Sequence, residues 1–321
     1  MIREKVITVG ESPALVGIVC EPASGVDPAC PALIVLNSGL LPRVGPGRSS
    51  VVATRRAAER GLLGVRFDLS GVGDSDPRRD VASFEDRWID DTRAMLDRLQ
   101  STRGIERFVL MGLCSGADTS FQLAVRDERV AGLVLLDGYA YRTPEFLARR
   151  YGEKVLDPAS VGRLAKRTFT GLLKRVVDGR RVSEPPPSGA PASTPPPSLA
   201  PASTPPPPLT EDDLEVSIPP GPQPQYVREF PPKAQVASQL RVMVARGVQL
   251  CIIHSGAMDL YYNYADQFRD AFRDVPFGDA LALHYFADAD HTFTELSQQR
   301  AMQQAVEDFL KRFTRRNGNT A

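Results

Sequence analysis

The sequence predicts an α/β protein, with a mostly parallel eight-stranded sheet flanked by helices. Three observations carry that expectation. Strand-type and helix-type segments alternate along the chain, the pattern of βαβ units. Two strand segments, Ala32–Leu36 (ALIVL) and Val130–Leu136 (VAGLVLL), are continuous apolar runs, as expected of strands covered on both faces. A third, Phe108–Met111, runs straight into Gly-Leu-Cys-Ser-Gly and then into a helical segment.

In chain order, Lys5–Val9 and Leu15–Cys20 read as an opening antiparallel pair, followed by the Ala32–Leu36 strand. Ser50–Arg60 is helical and Leu63–Leu69 (LGVRFDL) a strand. Phe84, Trp88, Met95 and Leu99 recur at helical spacing among acids and arginines, which predicts a helix over Phe84–Leu99. After the Phe108–Met111 strand come a helix over Ser115–Val125 and the Val130–Leu136 strand. Towards the C-terminus, Ala234–Ala245, Asn263–Arg273 and Gln298–Phe313 read as helices, and Leu250–His254 and Ala280–Phe286 as strands. In such a sheet the active site lies at the carboxyl ends of the strands.

The chain between Leu136 and Leu250 is too long for one crossover and predicts an insertion. Residues 1–138 and 233–321 are then the core, 139–183 a helical lid, and 184–232 a proline-rich, disordered linker. Eighteen of the 28 prolines fall between Pro185 and Pro232, and APASTPPPSL (Ala190–Leu199) is repeated as APASTPPPPL (Ala200–Leu209). Proline fixes φ and lacks an N–H, so this tract can join neither ladder nor helix and reads as an extended linker. A polyproline ligand for a partner is the alternative. The first half of the insertion is basic (Arg149, Arg150, Lys154, Arg163, Lys166, Arg167, Lys174, Arg175), either a lid attracting an anion or a solvated helix face.

Composition narrows the function. With 42% hydrophobic and 24% charged residues, the 321-residue chain can bury a sizeable core. Lys+Arg and Asp+Glu are 39 each, and a net charge of zero argues against nucleic acid as a partner. No apolar run reaches membrane-spanning length, and the charged, alternating N-terminus lacks a signal-peptide core, which predicts a cytoplasmic protein. Four cysteines (Cys20, Cys30, Cys114, Cys251) form neither a disulfide framework nor a zinc pattern, so no metal site is expected. With only His254, His284 and His291, the choice of a general base is small.

The segment Gly112-Leu113-Cys114-Ser115-Gly116 has the form G-x-nucleophile-x-G of a strand-to-helix elbow. The glycines relieve side-chain clashes in a tight turn, Cys114 is presented above the sheet, and the positive end of the following helix favours its thiolate. The bland reading is a buried cysteine between two packing glycines. A second segment, Phe67-Asp68-Leu69-Ser70-Gly71-Val72-Gly73-Asp74-Ser75-Asp76, has the form D-x-x-G-x-G-x-S.

Together these segments resemble the α/β-hydrolase superfamily, over roughly Lys5 to Phe313 apart from the proline tract. The resemblance implies a nucleophile, acid, histidine order. It makes Cys114 the nucleophile and assigns the base to His291, which alone follows the last predicted strand; His254 and His284 fall within strands. It puts the acid at Asp259, just past the Leu250–His254 strand. Asp137, after Val130–Leu136, is the alternative acid, and Asp288 and Asp290 are weaker rivals. Backbone amides of Ser115 and Leu40 are the implied oxyanion donors, although Ser38-Gly39 stands where many relatives have His-Gly. Arg43 and Arg48 read either as ligands for a substrate carboxylate or phosphate, or as solvated loop arginines.

A cysteine at the elbow is similar to the Cys–His–Asp arrangement of dienelactone hydrolases, and the GLC and FD-x-x-G-x-GDS stretches resemble hydrolases encoded beside exosortase systems. The implied activity is cleavage of an ester, lactone or thioester of a small acyl substrate through an acyl-enzyme, without cofactor. Two other functions are compatible: an acyltransferase with the same triad, and a non-catalytic interaction protein on this fold.

Overall fold

Among the described residues eight strands form: β1 (Arg3–Val9), β2 (Leu15–Glu21), β3 (Ala32–Val35), β4 (Gly64–Phe67), β5 (Phe108–Leu113), β6 (Val130–Leu136), β7 (Gln249–Ser255) and β8 (Leu281–Phe286). They make one sheet in the order β1-β2-β4-β3-β5-β6-β7-β8. β1 pairs antiparallel with β2, and β2 with β4; every later pairing is parallel. The structure is a computed structural model, and it describes residues 2–11, 14–80, 82–156 and 230–314.

Side-chain alternation sorts the strands onto two cores. On β5, Phe108 and Leu110 face one core, while Val109, Met111 and Leu113 face the other. The first core is covered by α2 (Phe84–Arg103), α3 (Ser115–Arg126) and α5 (Lys233–Ala245), through residues such as Met95, Phe121 and Leu240. The second is covered by α1 (Ser49–Glu59) and α7 (Leu296–Leu310), through Ala53, Ala57, Met302 and Phe309. Ser83 caps α2 by accepting from the Asp86 N–H, and Gly104 closes it in the left-handed region, extending it beyond the expected Leu99.

The helix expected over Asn263–Arg273 is shorter, α6 (Gln267–Ala271). Burial pulls the preceding residues into an irregular turn. Tyr262 packs on the His254 ring with centroids 4.0 Å apart, and the Tyr264 hydroxyl lies 2.8 Å from Thr143 Oγ1. Gln267 Oε1 then accepts from the Asn263 N–H.

One compact unit comprises Met1–Glu153 with Phe230–Ala321. α4 (Pro144–Leu156) begins after β6, and its Phe146, in that unit, is fully buried. The expected lid beyond residue 156 and nearly all of the proline linker lie outside the described residues. Among the described residues, no helix is long and apolar enough to cross a membrane.

Candidate active site

The chain leaves β3 for β4 on one side and returns to β5 on the other, so the carboxyl ends of β3 and β5 form the crevice of this sheet. Cys114 stands there, between β5 and α3, with φ 56° and ψ −117°, a conformation that costs of order 1–3 kcal/mol. The turn closes only with glycines on either side. A Cβ on Gly112 would sit 2.2 Å from the Gly116 carbonyl, and one on Gly116 would sit 2.3 Å from Asn37 O. The Cys114 N–H donates to Leu136 O, and its carbonyl accepts the first helical bond of α3, from Asp118. Its side chain is only partly buried.

His291 lies in the loop after β8. Asp290 shapes that loop, accepting from the Thr292 N–H and hydroxyl and the Thr294 N–H. Phe293, at φ 54° and buried, anchors it edge-to-face on Phe286. His291 Nδ1 is 2.7 Å from Asp137 Oδ2, and the ring also hydrogen-bonds Cys114.

The acid beside His291 is therefore Asp137, the alternative in the sequence reading, and not Asp259. Asp259 has a side chain 65% exposed and pairs with Arg150 at 3.3 Å. Asp137 is fully buried at a strained corner, φ 46°, one residue past β6. The end of β7 braces it: the Ser255 N–H donates to Oδ1 and the Ser255 hydroxyl to Oδ2, each at 2.7 Å. His254 Nδ1 stands 3.7 Å from Oδ1.

The expectation that His254 is packed within the sheet holds for burial, but neither ring nitrogen has a hydrogen-bond partner among the described residues. Sequence reasoning missed Ser255. The signal in the sequence was only a carboxylate straight after seven apolar residues; its place beside Ser255 follows from β6 pairing with β7.

Burial by itself would raise the Asp137 pKa. Nearby His254 and the bonds from His291 and Ser255 outweigh it and hold the carboxyl far below the carboxylate range. The Asp137 hydrogen bond, followed by the bond to Cys114, raises His291 from an ordinary 6.5 to about 10. A pKa raised on folding stabilises fully below the unfolded value, and that stabilisation disappears as pH rises through the folded value. The difference in Tm between wild type and His291→Ala should therefore be largest below pH 6.5 and narrow as pH rises towards about 10. Thermal melts of both proteins across that interval check it, and a constant difference would contradict it.

In the loop after β3, Leu40 is 73% exposed and its N–H makes no hydrogen bond among the described residues. The loop amide that reaches the elbow is Gly39 N–H, which donates to Ser115 Oγ at 2.7 Å. Arg43 is not free for a substrate anion, because its guanidinium pairs with Asp68 and with Asp74, the latter at 2.6 Å. Its backbone N–H also donates to Asp68 Oδ1, which accepts from Asn37 Nδ2 as well. Arg43 thus ties the β3 loop to the D-x-x-G-x-G-x-S segment. Arg48 is exposed in the left-handed region, and its guanidinium has no partner among the described residues.

A small apolar cavity adjoins the elbow, lined by Ser38, Pro42, Leu113, Phe293 and Met302 among others. Among the described residues, no group of three or more His, Cys, Asp or Glu side chains converges as a metal site.

This fold matches known proteins. A family model described as alpha/beta hydrolase fold matches residues 49–179. An esterase from Pyrococcus furiosus is similar at a TM-score of 0.54 with 13% identity, over 98% of this chain and 92% of that one. An α/β serine hydrolase without lid from Xanthomonas campestris is similar at 0.52 with 16% identity, over 98% and 97%. Proline iminopeptidase from Mycobacterium smegmatis is similar at 0.53 with 16% identity, over 97% and 99%. Comparison with curated proteins gives no match. The chain has the α/β-hydrolase fold.

Proposed function

We propose that the chain hydrolyses carboxylic esters, lactones or thioesters through an acyl-enzyme on Cys114. One observation carries this reading: Cys114, His291 and Asp137, each just past a different strand, are joined by successive hydrogen bonds. A histidine with a pKa of about 10 is an imidazolium at neutral pH, which supports a resting state in which the thiol proton has already passed to His291. Asp137 holds Nδ1–H and so leaves Nε2 to face the sulfur.

The thiolate attacks the acyl carbon and the carbonyl electron pair moves onto oxygen, where the Ser115 N–H at the start of α3 stabilises it. As the carbonyl reforms, the carbon–leaving-group bond breaks and the departing alkoxide or thiolate takes the His291 proton. Water then adds to the thioester, giving a proton to His291, and the Cys114 sulfur leaves with the carboxylic acid released.

The test is intact-protein mass spectrometry after mixing with p-nitrophenyl esters and acyl thioesters. Wild type should gain one acyl group, mapped to Cys114, and Cys114→Ala should gain none. Turnover by wild type without any adduct, and equally by Cys114→Ala, would sink the reading.

A further inference from the structure

The elbow leaves unexplained a hydroxyl beside the nucleophile. Ser115 is the first residue of α3, and its Oγ accepts the Gly39 N–H at 2.7 Å. The close approach of Asn37 O to Gly116 presses the β3 loop against this end of α3, so the contact is built into the packing. The Gly39 N–H is therefore already occupied, by a side chain one residue from the sulfur, while the Leu40 N–H makes no hydrogen bond among the described residues. Among the described residues the Ser115 hydroxyl proton has no acceptor, and the side chain is only partly buried. A hydroxyl that accepts from one side keeps its own proton for the other.

Building on the proposed reaction, we propose that the Ser115 hydroxyl is itself an oxyanion-hole donor: Gly39 N–H fixes its oxygen, and its O–H joins the Ser115 N–H on the substrate carbonyl oxygen. No proton is transferred in this contact. The new bond is Sγ–C, the carbonyl π pair moves to oxygen, and the hydroxyl only donates a hydrogen bond to the charge that develops. Gly39 then acts through Ser115 and not directly, and accepting from it polarises the hydroxyl for donation.

The test compares Ser115→Ala and Ser115→Thr with wild type on a p-nitrophenyl ester, alongside labelling of Cys114 by methyl methanethiosulfonate. That reagent forms a methyl disulfide and expels methanesulfinate, so it needs the thiolate but no oxyanion hole. Ser115→Ala should lower kcat on the order of 10²-fold with KM little changed. Ser115→Thr should recover most of that loss, and the labelling rate of both variants should stay at the wild-type value.

Unchanged or faster turnover by Ser115→Ala would overturn the assignment and make the hydroxyl a spectator or a plug in the hole. Labelling that falls as far as acylation would also overturn it, by showing that the serine only holds the elbow in place. Absence of any acyl adduct on wild-type Cys114 would instead defeat the reaction beneath it.

Discussion

Replacing Cys114 by alanine is expected to lower kcat on the order of 10⁶-fold, the scale of loss where nucleophile, base and acid act as a unit. The loss should be chemical and not structural. The elbow backbone is fixed by Gly112 and Gly116 and by the bonds to Leu136 and Asp118, none of which involves the sulfur. Since Cys114 is only partly buried, alanine leaves no large cavity, and the Tm should move little. Cys114→Ser separates the thiolate from mere nucleophilicity. Cys114 is one of the two groups that raise the His291 pKa, and serine does not sustain an ion pair with an imidazolium. The serine variant should need neutral His291 as a base, so its kcat/KM should climb with pH through the neutral range. Wild type should be nearly flat there. Stopped-flow and steady-state assays from pH 6 to about 9 check both variants, and identical pH profiles for wild type and Cys114→Ser would exclude a resting ion pair.

Local chemistry made the sheet and the elbow legible in the sequence. Continuous apolar runs such as Val130–Leu136 cannot be solvated, and Gly112 and Gly116 mark a turn with no room for Cβ atoms. His291 was legible by position, as the histidine in the loop after the last strand. What was hidden depends on register between strands far apart in sequence. Nothing within residues 130–137 says that Asp137 will face Ser255, because that pairing follows from β6 lying beside β7 with Leu136 opposite Ile253. Nor does the 37–43 loop disclose that Arg43 is drawn inward by Asp68, 25 residues away, or that Gly39 meets Ser115 rather than open solvent. Asp259 was plausible from its place after β7. The structure instead turns it outward, where Arg150 of α4 holds it.

Asp137→Asn should cost on the order of 10⁴-fold in kcat, while Asp259→Asn should stay within about threefold of wild type. Asparagine is nearly isosteric and tolerates the positive φ that Asp137 adopts, so the corner should still form. Its carbonyl oxygen can keep the Ser255 N–H, which places the amide NH₂ against His291 Nδ1. A donor there forces Nδ1 to accept, moves the ring proton to Nε2, and leaves no base facing Cys114. The same change removes the largest cause of the raised His291 pKa, which should fall from about 10 towards its ordinary value. Histidine NMR titration reads that fall independently of activity. Asp259 carries no such linkage, since its carboxylate touches Arg150 at the surface. The reverse ranking, with Asp259→Asn the crippled enzyme and Asp137→Asn active, would require the acid after β7 to swing inward in the working protein and would displace Asp137 from the reaction.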